Sequence, residues 1–327
     1  MARRILGRLL HAAALCAVVA VSVFLLLQSA PGDPFALALE GAEVPATVRA
    51  EWRSRYGLDR PPTERFAGWA SALAHGDLGY SASRRQPVAA IVRESLPRTM
   101  ALVGAALVLG FVGGVWAALV QVRRHRRWPD RAISALTLAG VAIPDFLLAL
   151  LAMTWLGARW RIFPVAGIGS LGDAAAWPWW ERTLDFAWHL TLPALVLSVA
   201  IAARVARHQR AALLSVMRED YIRTARAKGL SEWAILRRHA LPNAIGPVIA
   251  LLGLALPSLV GGALLIERIF GWPGMGLALF DGLLARDYPL VVAAVLLAAT
   301  FAILARTLTD LLADLVAPRH VNSGRRP

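Results

Sequence analysis

The side chains able to do covalent or metal chemistry are scattered along the chain. The seven histidines, His11, His75, His125, His189, His208, His239 and His320, show no ligand spacing such as H-x-x-x-H. Cys16 is the single cysteine and sits in an apolar run, which excludes a disulfide framework and a Cys-based metal site. Gly167-Ile168-Gly169-Ser170 does not form a G-x-S-x-G nucleophile elbow. No G-x-x-x-x-G-K-[ST] phosphate loop is present, and the only lysine, Lys228, lies in Arg-Ala-Lys-Gly-Leu. The reading is therefore of a non-catalytic chain that binds no cofactor or metal itself. The ionisable residues that stand out are those inside apolar stretches. Asp145 follows Pro144, where a charge at mid-membrane costs roughly 2.5–3.5 kcal/mol and normally faces the protein interior or water. It either lines a translocation path or caps a helix broken at Pro144. Gly261 and Gly262 permit close helix contact or bending and join Asp145 as path candidates. Arg306 and Asp310 are one turn apart and can pair. Glu267 and Arg268 are expected at an outer helix end, in reach of water.

The elements that must carry these residues are apolar. Of the 327 residues 57% are hydrophobic and 17% charged, against about 25% charged in an ordinary soluble domain. The excess belongs in a bilayer, and disorder is excluded. Six stretches approach the roughly 20 residues needed to span the hydrocarbon core: 9–27, 99–122, 132–158 (interrupted by Gly140, Pro144 and Asp145), 187–203, 244–266 and 289–305. The expectation is an all-α polytopic membrane protein with six transmembrane helices. Residues 1–28 would hold the N-terminus and first span and 29–98 an outer helical segment. Residues 99–317 would form the membrane core, and 318–327 a tail.

The formal charge is +14, from 35 Lys and Arg residues. With the N-terminus inside, the inner segments 1–8, 121–131, 204–243 and 318–327 carry 20 basic residues against Asp130, Glu219, Asp220 and Glu232. The outer segments 29–98, 158–189 and 267–288 carry 14 of each sign. This is the positive-inside pattern of a protein in the cytoplasmic (inner) membrane with both termini cytoplasmic. It accounts for the basic balance through membrane lipid and without nucleic acid. The first stretch is too long for a signal peptide, and no small-x-small cleavage site precedes Pro31.

In the outer segment, Val48, Trp52 and Tyr56, then Phe66, Trp69, Ala70 and Leu73, fall at helical spacing. Gly57 and Gly76 are placed to stop two short amphipathic helices. The tryptophans Trp160, Trp177, Trp179, Trp180 and Trp188 near span ends mark the membrane interface.

The inner segment 219–243 carries the most organised pattern. Glu219 and Asp220 stand at the start of a helix and Arg226 and Lys228 at its end, matching the helix dipole. Gly229 is placed for the left-handed C′ conformation, Ser231 can cap a second helix, and Trp233 shares a face with Leu236 or Arg237. Pro242 is expected to end that helix. A solvated linker would not need two capped helices bearing apolar residues, so a rigid protein-docking knob is expected.

This segment resembles the coupling loop of ABC-importer permeases, whose pattern is E-A-A, three residues, Gly, nine residues, I-x-L-P. Gly229 places the triplet at Arg223-Thr224-Ala225 and the last positions at His239, Leu241 and Pro242. Arg for Glu and His for Ile are the variant of the dipeptide/oligopeptide/nickel group, R-T-A-x-A-K-G. Ala30-Pro31-Gly32-Asp33-Pro34, Tyr56-Gly57-Leu58-Asp59-Arg60-Pro61, Gly76-Asp77-Leu78-Gly79-Tyr80-Ser81, Gly271-Trp272-Pro273-Gly274-Met275-Gly276 and Ala285-Arg286-Asp287-Tyr288-Pro289 are similar to further motifs of the group. Val316-Ala317-Pro318-Arg319 lacks the Asp of its usual L-D-P-R ending. The resemblance implies one permease half of an ATP-driven importer for peptides, or alternatively for nickel chelates or glutathione. It implies a second homologous permease, two cytoplasmic ATP-binding subunits that use ATP and Mg²⁺, and an extracytoplasmic solute-binding protein. It also implies ATPase-coupling roles for Arg223, Thr224, Ala225, Gly229, Leu230, Ser231, Glu232 and Pro242. A secondary transporter is the rival class; it would show an inverted repeat of broken helices and no knob.

Overall fold

The computed structural model describes residues 2–29, 61–81, 83–170, 177–249 and 263–316. The chain opens with α1 (Ala2–Ser29) and α2 (Pro62–Ala74). A two-residue antiparallel ladder follows, β1 (Tyr80–Ser81) with β2 (Gln86–Pro87), Tyr80 opposite Pro87. Apart from this ladder the described residues are helical or irregular. The outer helix expected from Phe66, Trp69 and Leu73 is α2. It docks on the end of α1 through Phe24, whose ring meets Phe66 at 5.2 Å and Trp69 at 5.8 Å. Gly76 stops it at φ +80°. The helix expected from Val48, Trp52 and Tyr56 lies outside the described residues, as do Gly261 and Gly262. So do the Ala30–Pro34 motif, the C-terminal Pro318-Arg319 and the side chain of Asp310.

The centre is a long helix pair, α3 (Val88–Arg123) and α6 (Trp179–Val216). α3 starts well before the apolar stretch 99–122 and ends one residue past it, while α6 runs past 187–203 at both ends. The two backbones approach closely: a Cβ at Gly110 or Gly114 would fall 2.7 Å from Ile201 or Val205. Leu102, Ala106, Leu197 and Ile201 fill the seam, each at most 1% exposed. Between these helices lie α4 (Trp128–Ala142) and α5 (Asp145–Ala152), which runs on into wider π turns at Met153–Arg159. The expected interruption at Pro144 is a bend of 106°. Asp145 takes the first position of α5, where a carboxylate is favoured by the helix dipole.

Beyond α6 come α7 (Asp220–Ala227), α8 (Glu232–Ile235), a π segment Leu236–Ala240 and α9 (Leu241–Ala244). After helical residues 263–269 follow α10 (Met275–Leu284) and α11 (Tyr288–Val316). Among the described residues three helices are long and apolar enough to cross a membrane: α3, α6 and the 288–307 part of α11. The bent pair α4–α5, carried on through Arg159, makes a fourth if it is one broken span instead of a re-entrant loop. The chain is thus a mostly helical, multi-pass membrane protein.

Candidate functional site

The segment 219–243 folds into the two-helix knob its sequence calls for. Glu219 enters α7 in extended conformation (φ −69°, ψ 149°), with Asp220 in the first turn. At the far end Gly229 N–H donates to the Arg226 carbonyl (2.9 Å) and Leu230 N–H to that of Ala225 (3.4 Å). These are the two bonds of a Schellman cap, with Gly229 at φ +78°. A Cβ at Gly229 would meet nothing within 4 Å, so the glycine is required by backbone conformation and not by space. Ser231 Oγ accepts the Ala234 amide at 3.3 Å and starts α8. Across the turn the Arg226 guanidinium forks onto Glu232, Nε to Oε1 at 2.7 Å and Nη2 to Oε2 at 3.2 Å. Glu232 raises the pKa of Arg226 above its ordinary value.

Pro242 does not end the second helix, in contrast to the sequence expectation. The backbone widens into π turns at Leu236–Ala240 and continues as α9. A proline cannot donate to the carbonyl four residues back, and its ring crowds that carbonyl. Widening the preceding turn relieves both conflicts.

The knob is seated on the ends of α3 and α6. Ile222, Ala225, Ile235, Leu236, Ala240 and Ala244 are buried with Ala118, Leu119 and Val122 of α3 and Leu213 of α6. The Arg123 guanidinium lies over the Trp233 ring, 5.5 Å from its centroid. Of the residues singled out for coupling, Arg223, Thr224, Gly229, Leu230, Ser231, Glu232 and Pro242 are exposed and Ala225 is buried. Ala225 therefore anchors the knob, and the others with Tyr221 and Trp233 form its free face. Arg223 reaches Asp220 at 3.2 Å on that face.

Two features at the other end of α3 escaped sequence reasoning. Glu267, expected in reach of water, is fully buried. Its carboxylate accepts from Thr99 Oγ1 (2.6 Å) and the Leu277 amide (2.9 Å), while Thr99 Oγ1 accepts the Met275 amide (2.8 Å). A Cβ on Gly274 would overlap that carboxylate, which explains a glycine in Gly271-Trp-Pro-Gly-Met-Gly276. Trp272 is buried beside it and donates Nε1–H to the Arg98 carbonyl at 3.0 Å. Arg268, in contrast, is half exposed and 3.6 Å from Asp281. Asp287, also buried, accepts from Ser81 Oγ (2.5 Å), Ser83 Oγ (2.6 Å) and the Ser83 amide (3.0 Å). It thereby joins the Gly76–Ser81 and Ala285–Pro289 motifs. The motifs could be read as sequence, but their meeting across 206 positions could not.

The geometry is that of a membrane helix bundle carrying a two-helix knob with an exposed face, with no cluster of metal-ligating side chains among the described residues. Known proteins agree. Residues 110–321 match the family described as "Binding-protein-dependent transport system inner membrane component". The oligopeptide transport system permease protein AppB of Bacillus subtilis is 32% identical over 320 residues, covering 98% of this chain and 99% of its own. The glutathione transport system permease protein GsiC of Escherichia coli strain K12 is 34% identical over 318 residues, covering 97% and 98%. In structure, the inward-facing MetNI methionine ABC transporter aligns with TM-score 0.55 at 18% identity, over 70% of this chain and 97% of that one. The class defined is the membrane-spanning permease of an ABC importer. The chain belongs to the family of binding-protein-dependent transport system inner membrane components.

Proposed function

We propose that this chain forms half of the translocation path of an ATP-driven importer for peptides or a related small thiol peptide such as glutathione. A solute-binding protein delivers the solute on the outer side, and a second, homologous permease completes the path. Two ATP-binding subunits hydrolyse ATP, which this chain lacks the phosphate loop to do, and the knob at 219–243 is this chain's docking point for them. Six spans with both termini cytoplasmic agree with the charge bias of the loops. Arg223, Thr224, Gly229, Leu230, Ser231, Glu232 and Pro242 form the docking face, and Asp145, Gly261 and Gly262 border the path. The observation that carries the reading is the Gly229-capped knob: it is seated by an apolar core yet leaves Tyr221, Leu230 and Trp233 exposed. A rigid seat with an apolar free face suits transmission of motion from a partner into α3 and α6.

The test is reconstitution in proteoliposomes with the companion subunits. Uptake of a labelled oligopeptide should require ATP and the loaded binding protein, and should compete with glutathione. Uptake by this chain alone under a proton or sodium gradient would contradict the reading in favour of a secondary transporter.

A further inference from the structure

One turn of α6 touches both the knob and α4. Gln209 and Arg210 are neighbours there with different partners. Gln209, fully buried, donates Nε2–H to the Ala244 carbonyl at the end of the knob, 3.2 Å away. Arg210 sends Nε and Nη2 to the two oxygens of Asp130, both at 2.9 Å. Asp130 is 3% exposed and lies in the first turn of α4. Its Oδ2 also accepts the Arg126 amide at 2.9 Å, with His125 Nδ1 3.4 Å from the same oxygen. From α3, Gln121 donates to Ser134 Oγ (2.9 Å) and reaches Asp130 Oδ1 (3.4 Å). The next residue, Val122, packs in the knob's core. Successive residues of both α3 and α6 therefore hold the knob on one side and α4 on the other.

A buried ion pair is a poor adhesive, because desolvating both charges offsets most of their attraction. What a two-bond fork supplies is fixed orientation. It sets the rotation of α4 about α6, while Gly140 lets α4 lie close against Val199 and Ala203 further along. At its other end α4 stops at the 106° bend. A helix held by a fork at one end and broken at the other behaves as a lever. A rotation imposed at Asp130 would be carried along α4 to Pro144 and Asp145.

We infer that the Asp130–Arg210 clamp is the joint through which displacement of the knob turns α4 and its break at Pro144, so that Asp130 is a positioning residue for transport and not for ATPase docking. The inference rests on the importer reading above. It places energy coupling in a contact distinct from the docking face.

The assembled complex, reconstituted as wild type, Asp130→Asn and Arg210→Lys, tests this by the ratio of solute taken up to ATP hydrolysed. Asp130→Asn removes the charge; Arg210→Lys keeps the charge and loses the fork. ATPase co-purification and stimulation by loaded binding protein should stay within about twofold of wild type in both variants. Uptake per ATP should fall about tenfold in Asp130→Asn and about threefold in Arg210→Lys. If Asp130→Asn does not assemble, Arg210→Lys decides by the same ratio. An unchanged ratio overturns the inference alone. Loss of the ATPases together with uptake also overturns it, because the clamp would then only seat the knob. A wild-type complex without ATP-linked uptake overturns the importer reading, and the inference falls with it.

Discussion

The two ends of α3 both bury carboxylates, and they satisfy them by different means. At the knob end Asp130 meets a guanidinium from another helix. At the far end Glu267 and Asp287 meet hydroxyls and backbone amides. The charged pair joins two helices as bodies, and can carry a movement from one to the other. The neutral donors are the Thr99 hydroxyl of α3, the Ser81 and Ser83 hydroxyls and the Ser83 and Leu277 amides. Such a carboxylate gathers loops onto helix starts and seals them. One end of the bundle ties helix to helix and the other ties loops to helix starts.

This contrast can be broken by substitution. The largest effect is expected for Glu267→Leu, which strands the Thr99 hydroxyl and the Leu277 amide in a buried site. At about 1–3 kcal/mol for each orphaned donor, the purified permease should show a large fall in melting temperature, and protease should cut first near 271–277. A melting temperature within error of wild type would show that the far end is not sealed by this contact. Asp287→Asn comes next. The amide oxygen can still accept from Ser81 and Ser83 but without charge assistance, so the expected loss is about 1 kcal/mol, read in the same melt. The smallest effect is expected for Arg226→Gln. Its partner Glu232 is 62% exposed and Arg226 itself 43%, so the fork should contribute less than about 1 kcal/mol after solvent screening. A melting shift as large as that of Glu267→Leu would place the knob's stability in its surface ion pair instead of in the Ile222–Ile235 core.

Much of the knob was legible in the sequence because its logic is local. Gly229, Ser231, Glu219 and Asp220 are cap residues, and caps are set by neighbours within a few positions. The break at Pro144 and the stop at Gly76 are local in the same way. The π widening before Pro242 was not legible, since a proline can end a helix or be absorbed by it, and packing of Leu236, Ala240 and Ala244 decided for absorption. The Asp130–Arg210 fork spans 80 positions and the Thr99–Glu267 bond 168. No periodicity within a helix records such partners. Glu267 in particular reads as a charge at a span end until α10 and its glycines fold over it.

In the proposed importer the geometry of the knob, set at Gly229, transmits the work of the ATPases. That transmission is tested most directly by comparing Gly229→Asn with Gly229→Val in ATP-driven uptake, with ATPase co-purification measured on the same samples. Within the chain a Cβ at Gly229 meets nothing within 4 Å, and both variants add a side chain of similar size to the docking face, so backbone conformation is what separates them. Asn tolerates the left-handed region, whereas a β-branched residue there costs on the order of 1–2 kcal/mol and forces α7 to extend or tilt, displacing Leu230, Ser231 and Glu232. Gly229→Asn should retain most of the uptake and Gly229→Val none, with the ATPases dissociated or uncoupled in the latter. Near-wild-type uptake by Gly229→Val would contradict that role of the knob.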